Sequence, residues 1–286
     1  MNPAISKQTI RNDLFGFSSI PFRKMPEKPY LNEEKKRFLQ ELDSFVYRRG
    51  IAAIAGEPGA GKTALVRYFC EGLPRNNHLI IYNPFTNGSE NDLLRSLCIA
   101  LDIEPCFHKN KTIANLQQRI KELGNINPIL VLDELQNASH KLLECVRLLT
   151  NNDFDATNRL TLILIGTDDL FRELKKKINE SLRQRITLYC RVSELSFDEE
   201  NDYIHHCLRQ AGSEQHIFKE ESLKLIDDIA RGRIRIINSL AAAALESASR
   251  EASSTVELSH VQQAEKVCIL PKDQVNNFEV RDIGAF

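Results

Sequence analysis

The 286-residue chain is 42% hydrophobic and 27% charged, enough to bury a core in one large domain or two smaller ones. Its formal net charge of -1 excludes a globally basic nucleic-acid binder, so any contact with DNA must come from a local patch. No apolar run approaches membrane-spanning length and the start, MNPAISKQTIRND, lacks a signal-peptide core, which points to a cytoplasmic protein without a membrane partner.

Residues 1–30 hold no long periodic segment. Phe15-Gly16-Phe17 and Ile20-Pro21-Phe22, followed by Pro26 and Pro29, read as an extended arm whose aromatics pack on the core. The arm lies either near a nucleotide base or on the surface as a brace. Asn32 suits an N-cap, and 33–49 carries the helical period through Phe38, Leu39, Leu42, Phe45 and Val46 until Gly50. The apolar run 51–55 then predicts a strand buried on both faces.

Residues 56–63 spell GEPGAGKT, and a helical segment follows as far as Pro74. Strand, glycine loop and helix in that order define a phosphate-binding loop. Gly56, Gly59 and Gly61 let backbone N–H groups curl around an anion where a Cβ would collide. The helix starting near Lys62 adds its positive end. Lys62 is expected to reach the β- and γ-phosphates, and the Thr63 hydroxyl to ligate Mg²⁺.

Residues 78–83 read as a second buried strand closed by Asn83-Pro84, and 92–101 as a helix. His108–Lys111 is a small basic turn before a helix over 112–123, N-capped by Thr112. Residues 129–134, ILVLDE, predict a buried strand that delivers two carboxylates at its C-terminal edge, where open parallel sheets hold ligands. Asp133 is expected to hold the Mg²⁺ shell through water, and Glu134 to polarise the attacking water.

A helix over 141–150 and a polar loop over 151–158 lead to a fourth strand, 160–166. Thr167 stands at its end, either sensing a γ-phosphate or simply terminating the strand. After a helix over 169–178, SLRQRI (181–186) carries Arg183 and Arg185, candidates to reach a neighbouring subunit's nucleotide as an arginine finger. A fifth strand over 186–192 completes a parallel, doubly wound sheet with right-handed crossovers. Beyond a boundary near Leu195 only helices are predicted, over 197–211, 219–229, 234–251 and 259–267, with Gly212 and Gly232 as terminators. Arg235 could swing from this lid onto the γ-phosphate, the alternative being a solvated basic turn. Residues 271–286 form a polar tail. The 7 cysteines are scattered without a C-x-x-C pair and read as reduced thiols rather than disulfides or zinc ligands.

Phosphate loop, carboxylate pair, strand-end polar residue, arginines after the fourth strand and a helical tail with G-x-x-R together resemble an AAA+ ATPase. GF before IPF, DELQN (133–137), IGTDDL (165–170), LRQRI and GRIRIIN (232–238) resemble the ExeA-type AAA+ group, close to the transposition ATPases TniB, TnsC and MuB. The likeness runs from about Leu14 to Val267. It implies an α/β AAA+ P-loop NTPase with a five-stranded parallel sheet (31–195), an all-helical C-terminal lid (196–270), an N-terminal arm (1–30) and a tail (271–286).

The same resemblance assigns ATP binding to Gly56, Glu57, Pro58, Gly59, Ala60 and Gly61, with Lys62, Thr63, Ala64 and Asp133. Thr63 and Asp133 hold Mg²⁺, and Glu134 drives hydrolysis to ADP and phosphate. Thr167 falls on the sensor position, where ExeA-like proteins usually carry glutamine. Arg185 fits the trans-acting arginine better than Arg183, since QRI is the recurring triplet. Arg235 falls on the lid sensor, with Ile234 where proline is common. Lys109, Lys111 and Thr112 are the implied DNA contacts.

Secretion-type ExeA proteins add a membrane span and a peptidoglycan-binding domain. A stand-alone ATPase of this type resembles instead the regulatory partner of a transposase, a homo-oligomer forming a ring or filament on duplex DNA without sequence preference. The alternatives are a secretion-accessory or protein-remodelling ATPase that works without DNA, and a slow nucleotide switch, against which the motif order after residue 160 argues.

Overall fold

The computed structural model describes residues 12–23, 28–84, 89–150 and 158–268. The 271–286 tail and most of the 151–158 loop lie outside them. In chain order the elements begin with α1 (Asn12–Phe15), α2 (Glu33–Arg48), β1 (Gly50–Ala55), α3 (Lys62–Gly72), β2 (His78–Pro84), α4 (Glu90–Ala100) and α5 (Lys109–Glu122). There follow β3 (Asn127–Asp133), α6 (His140–Thr150), β4 (Thr161–Ile165), α7 (Asp168–Lys175), α8 (Glu180–Arg183) and β5 (Ile186–Arg191). Helices α9 (Phe197–Gln210), α10 (Glu220–Ala230), α11 (Ile234–Arg250) and α12 (Leu258–Cys268) close the described chain.

Two compact units emerge: Leu31–Ser193, and Met1–Tyr30 with Glu194–Phe286. The first is a five-stranded parallel sheet in the order β2-β3-β4-β1-β5. Alternation along the strands divides its core in two, since successive side chains point to opposite faces. Ile51, Ala53, Leu130, Leu132, Leu162 and Leu164 pack against α4, α5, α6 and α7. Ala52, Ile54, Ile129, Val131, Ile163 and Ile165 pack against α2 and α3. The three central strands are therefore apolar at nearly every position, as the sequence predicts.

The outer strands differ from expectation. Because β2 takes the sheet's edge, only Ile81 of its residues is buried, and Tyr82 is 52% exposed. The predicted helix over 169–178 stops at Lys175, and a 3₁₀ turn over Lys177–Asn179 separates it from α8. Helix α5 starts at Lys109, so Lys109 and Lys111 lie in its first turn rather than in a loop. Helix caps follow the local chemistry: Asn32 accepts from the Lys35 amide at 2.9 Å, and Ser89 and Ser196 each form a capping box.

The second unit packs α9 to α12 around Tyr203, Ile204, Ile226, Leu240 and Leu245, and Phe15, Phe17 and Phe22 are buried in that same core. Gly232 turns the chain from α10 into α11 at φ 71°, and a Cβ there would stand 2.1 Å from the Leu195 carbonyl oxygen, so only glycine fits. The seven cysteines are free thiols, and burial pushes Cys70, Cys145 and Cys207 up to about 11. Among the described residues no helix is long and apolar enough to cross a membrane.

Candidate nucleotide site

The C-terminal ends of β1, β3 and β4 lie side by side, so three predicted motifs converge without any long-range adjustment of loops. The loop leaving β1 carries positive φ at Gly56, Gly59 and Gly61 (155°, 92° and 95°), which glycine adopts at least cost. A Cβ on Gly56 would sit 2.3 Å from the Val192 carbonyl oxygen. Helix α3 begins at Lys62 behind Gly61, and no side chain caps its first amides. Those N–H groups and the helix dipole are therefore directed at whatever fills the loop. The Lys62 ammonium bends back onto the carbonyls of Gly56 (2.8 Å) and Glu57 (3.0 Å), so its charge lies over the loop.

Asp133 ends β3 and is 3% exposed. Its Oδ1 accepts the Glu134 amide at 2.8 Å, and its Oδ2 accepts the Thr63 hydroxyl at 2.7 Å. A second hydroxyl reaches that Oδ2: Tyr82 Oη donates to it at 3.1 Å. Burial, with the Asp133 charge behind it, pushes the Tyr82 phenol up to about 12, so it stays a donor at any ordinary pH. The hydroxyl of Thr63 and the carboxylate of Asp133 are hard oxygen donors in contact, the donor set that suits Mg²⁺.

Glu134 lies beyond the strand rather than on it, in the left-handed region at φ 61°, and is exposed. Gln136 Nε2 donates to its Oε2 at 2.7 Å. Thr167 occupies the position before α7, where its hydroxyl leans on Asp169 Oδ2 at 3.5 Å. Next to it, Arg191 at the end of β5 pairs with Asp168 at 2.8 Å.

Arg183 and Arg185 stand at the opposite edge. Arg185 precedes β5, whose Ile186 pairs with Ile51 near the start of β1. From Ile51 to Gly56 the strand rises about 16 Å, so neither arginine belongs to its own unit's phosphate loop. Arg185 lines a cleft of about 210 Å³ with Gly50, Arg159, Gln184 and Thr187, while Arg183 pairs with Glu180 at 3.7 Å. Arg235 is exposed in the first turn of α11, in the helical unit. Its neighbour Arg233 is committed to structure, donating to the carbonyls of Ala230 and Ile229 that end α10.

Of the three DNA candidates, Lys111 is exposed and Lys109 pairs with Glu90 at 3.5 Å. Thr112 is a correction: it caps nothing, is 3% exposed, and spends its hydroxyl on Cys106 N (3.0 Å) and Cys106 O (3.1 Å). A buried, satisfied hydroxyl cannot touch a phosphate backbone. Tyr82 and Gln136 were not singled out in the sequence; only the pairing of β2 with β3, which sets Pro84 opposite Asp133, could have pointed to the tyrosine.

Glycine cradle, lysine, and a Thr–Asp oxygen pair at the carboxyl edge of a parallel sheet define a P-loop nucleotide-binding unit. Comparison with known proteins narrows the class. Residues 46–174 match the model of a family described as an AAA domain. General secretion pathway protein A of Aeromonas hydrophila is 29% identical over 252 residues, which is 85% of this chain and 45% of the relative. The chain thus spans about half the length of that curated relative. Cdc6p from Pyrobaculum aerophilum superposes with a TM-score of 0.67 at 20% identity, covering 90% of this chain and 71% of that one. The Aeropyrum pernix ORC1 protein, solved in complex with DNA, gives 0.62 at 19% identity, covering 84% and 65%. The fold is that of the AAA+ P-loop ATPases, an α/β unit with a five-stranded parallel sheet, here in a chain that also carries a helical unit.

Proposed function

We propose that the Leu31–Ser193 unit binds ATP with Mg²⁺ and hydrolyses it, and that each bound triphosphate is shared between adjacent copies of the chain. One observation carries this reading: the Thr63–Asp133 pair and the glycine cradle occupy one sheet edge, and Arg185 the other, about 16 Å away. A guanidinium on the far edge serves no chemistry in its own pocket. In stacked protomers it faces the next pocket, where it offsets charge developing on the transferred phosphoryl group. The glycine loop and the α3 amides hold the phosphates, and Lys62 transfers its ammonium from the Gly56 and Glu57 carbonyls to them. Thr63 and Asp133 hold Mg²⁺, which when bound neutralises and aligns the phosphate oxygens. Glu134 takes the proton of the attacking water.

On this engine rests the biological reading, an ATP-dependent regulator of DNA transposition. ATP-held oligomers lie on duplex DNA without sequence preference and recruit or activate a transposase. Support comes from the motif-level resemblance to TniB, TnsC and MuB, and from the fold likeness to ORC1, a protein seen on DNA. A polymer multiplies weak phosphate contacts such as one from Lys111, so a chain of net charge -1 can hold a duplex.

Retention of a random-sequence duplex, measured with a non-hydrolysable ATP analogue, tests the reading. Binding should require the analogue, fall steeply with added salt and vanish in Lys62→Ala. Retention by Lys62→Ala equal to wild type would contradict the coupling. The 29% identity to a general secretion protein favours a second reading, an accessory ATPase of secretion that works without DNA. It predicts no duplex retention and an ATPase rate that added duplex leaves unchanged.

A further inference from the structure

The carboxylate that closes the nucleotide site has one more partner than phosphate-loop chemistry requires. Three donors hold Asp133: the Glu134 amide on Oδ1 (2.8 Å), and on Oδ2 both the Thr63 hydroxyl (2.7 Å) and the Tyr82 phenol (3.1 Å). These donors differ in what a cation does to them. The amide is fixed by the backbone. The Thr63 hydroxyl has one hydrogen and two lone pairs, so it takes on a second duty when it turns a lone pair to the cation while its hydrogen stays on Asp133. The phenol has no such second duty, so its hydrogen bond serves the carboxylate and not the cation.

Tyr82 is also held where it can do this. Its strand pairs residue by residue with β3, Tyr82 opposite Val131 and Pro84 opposite Asp133. The neighbouring Asn83 amide donates to Ser96 Oγ of α4 at 2.5 Å, which fixes the end of β2 from the other side. Ligands of a metal need such outer partners, because an unheld carboxylate rotates and loses part of its affinity.

We propose that Tyr82 is a positioning residue for the metal-holding carboxylate: its phenol, beside the Thr63 hydroxyl, fixes the orientation of Asp133 and so supports Mg²⁺ binding. The proposal rests on the nucleotide-site reading above. Tyr82→Phe tests it, since the ring is retained and only the hydroxyl is removed. Two titrations read the outcome: a fluorescent adenine nucleotide in EDTA, and Mn²⁺ added to the protein–nucleotide complex and followed by electron paramagnetic resonance. Expected is Mn²⁺ binding weakened about tenfold, the low end for an outer partner of a metal ligand, with nucleotide affinity in EDTA unchanged. Unaltered Mn²⁺ affinity overturns the proposal. So does an equal loss in EDTA, which would mark general damage to the pocket. Failure of the underlying reading looks different: wild-type protein would bind neither nucleotide nor Mn²⁺, and both claims would fall together.

Discussion

Glu200 sits on α9 with no exposed surface, and its Oε1 has no hydrogen-bond partner. Among the described residues its Oε2 accepts from the Gly232 amide, at 3.3 Å, in the turn that leads into the helix bearing Arg235. Burial raises this carboxyl from 4.5 to about 7, the nearby Asp227 adds to the rise, and the Gly232 amide opposes it. Asp227 is itself raised by burial and by Asp228. An unfolded chain releases the Glu200 proton near 4.5, whereas the fold keeps it until about 7. Between those values the native state binds the extra proton, so stability falls as pH rises and levels off above 7. The full shift corresponds to about 3 kcal/mol, and allowing for solvent screening leaves about 2 kcal/mol.

Glu200→Gln keeps an acceptor for Gly232 and removes the titration. Above pH 7.5 it should be more stable than wild type by about 2 kcal/mol, a rise in melting temperature of roughly 4–8 °C. Near pH 4.5 the advantage should disappear. Thermal melts of both proteins from pH 4.5 to 8 measure it. A gap that stays constant across this range would refute the reasoning, since a purely steric or packing change has no cause to vary with pH.

Glu134→Gln should bind ATP as wild type does but split it about a hundredfold or more slowly, trapping a long-lived assembly on DNA. Faster release from duplex than wild type would contradict the role given to the carboxylate. Gly56→Ala forces a Cβ to 2.3 Å from the Val192 carbonyl, so the unit should lose about 1–3 kcal/mol and most of its nucleotide affinity. Gly72→Ala, whose Cβ meets nothing within 4 Å, is the control and should change stability by less than about 0.5 kcal/mol in denaturant melts.

The parts legible in the sequence are those whose chemistry admits few residue types. A loop that wraps an anion needs glycine at Gly56, Gly59 and Gly61, and their spacing survives any packing detail. Strands buried on both faces, β1, β3 and β4, advertise themselves as unbroken apolar runs. What stayed hidden depends on tertiary order. His78–Asn83 looks as apolar as a central strand, and only the sheet order makes it an edge with Tyr82 turned toward Asp133. Thr112 has the look of an N-cap, yet α5 starts a turn earlier and the hydroxyl folds back on Cys106. The arm's aromatics read equally as neighbours of a nucleotide base or as a brace. Phe15, Phe17 and Phe22 do pack on a core, and it is that of the helical unit, a partner 170 or more residues away that no local pattern encodes.

Sharing of a triphosphate between protomers is most directly tested by complementation. Arg185→Ala retains a pocket without its neighbour's finger, and Lys62→Ala retains a finger without a pocket. Each alone should lose hydrolysis by about a thousandfold or more. Mixed one to one, they should recover about a quarter of the wild-type rate, because that share of interfaces unites an intact pocket with an intact finger. A mixture as silent as its components would contradict the shared site.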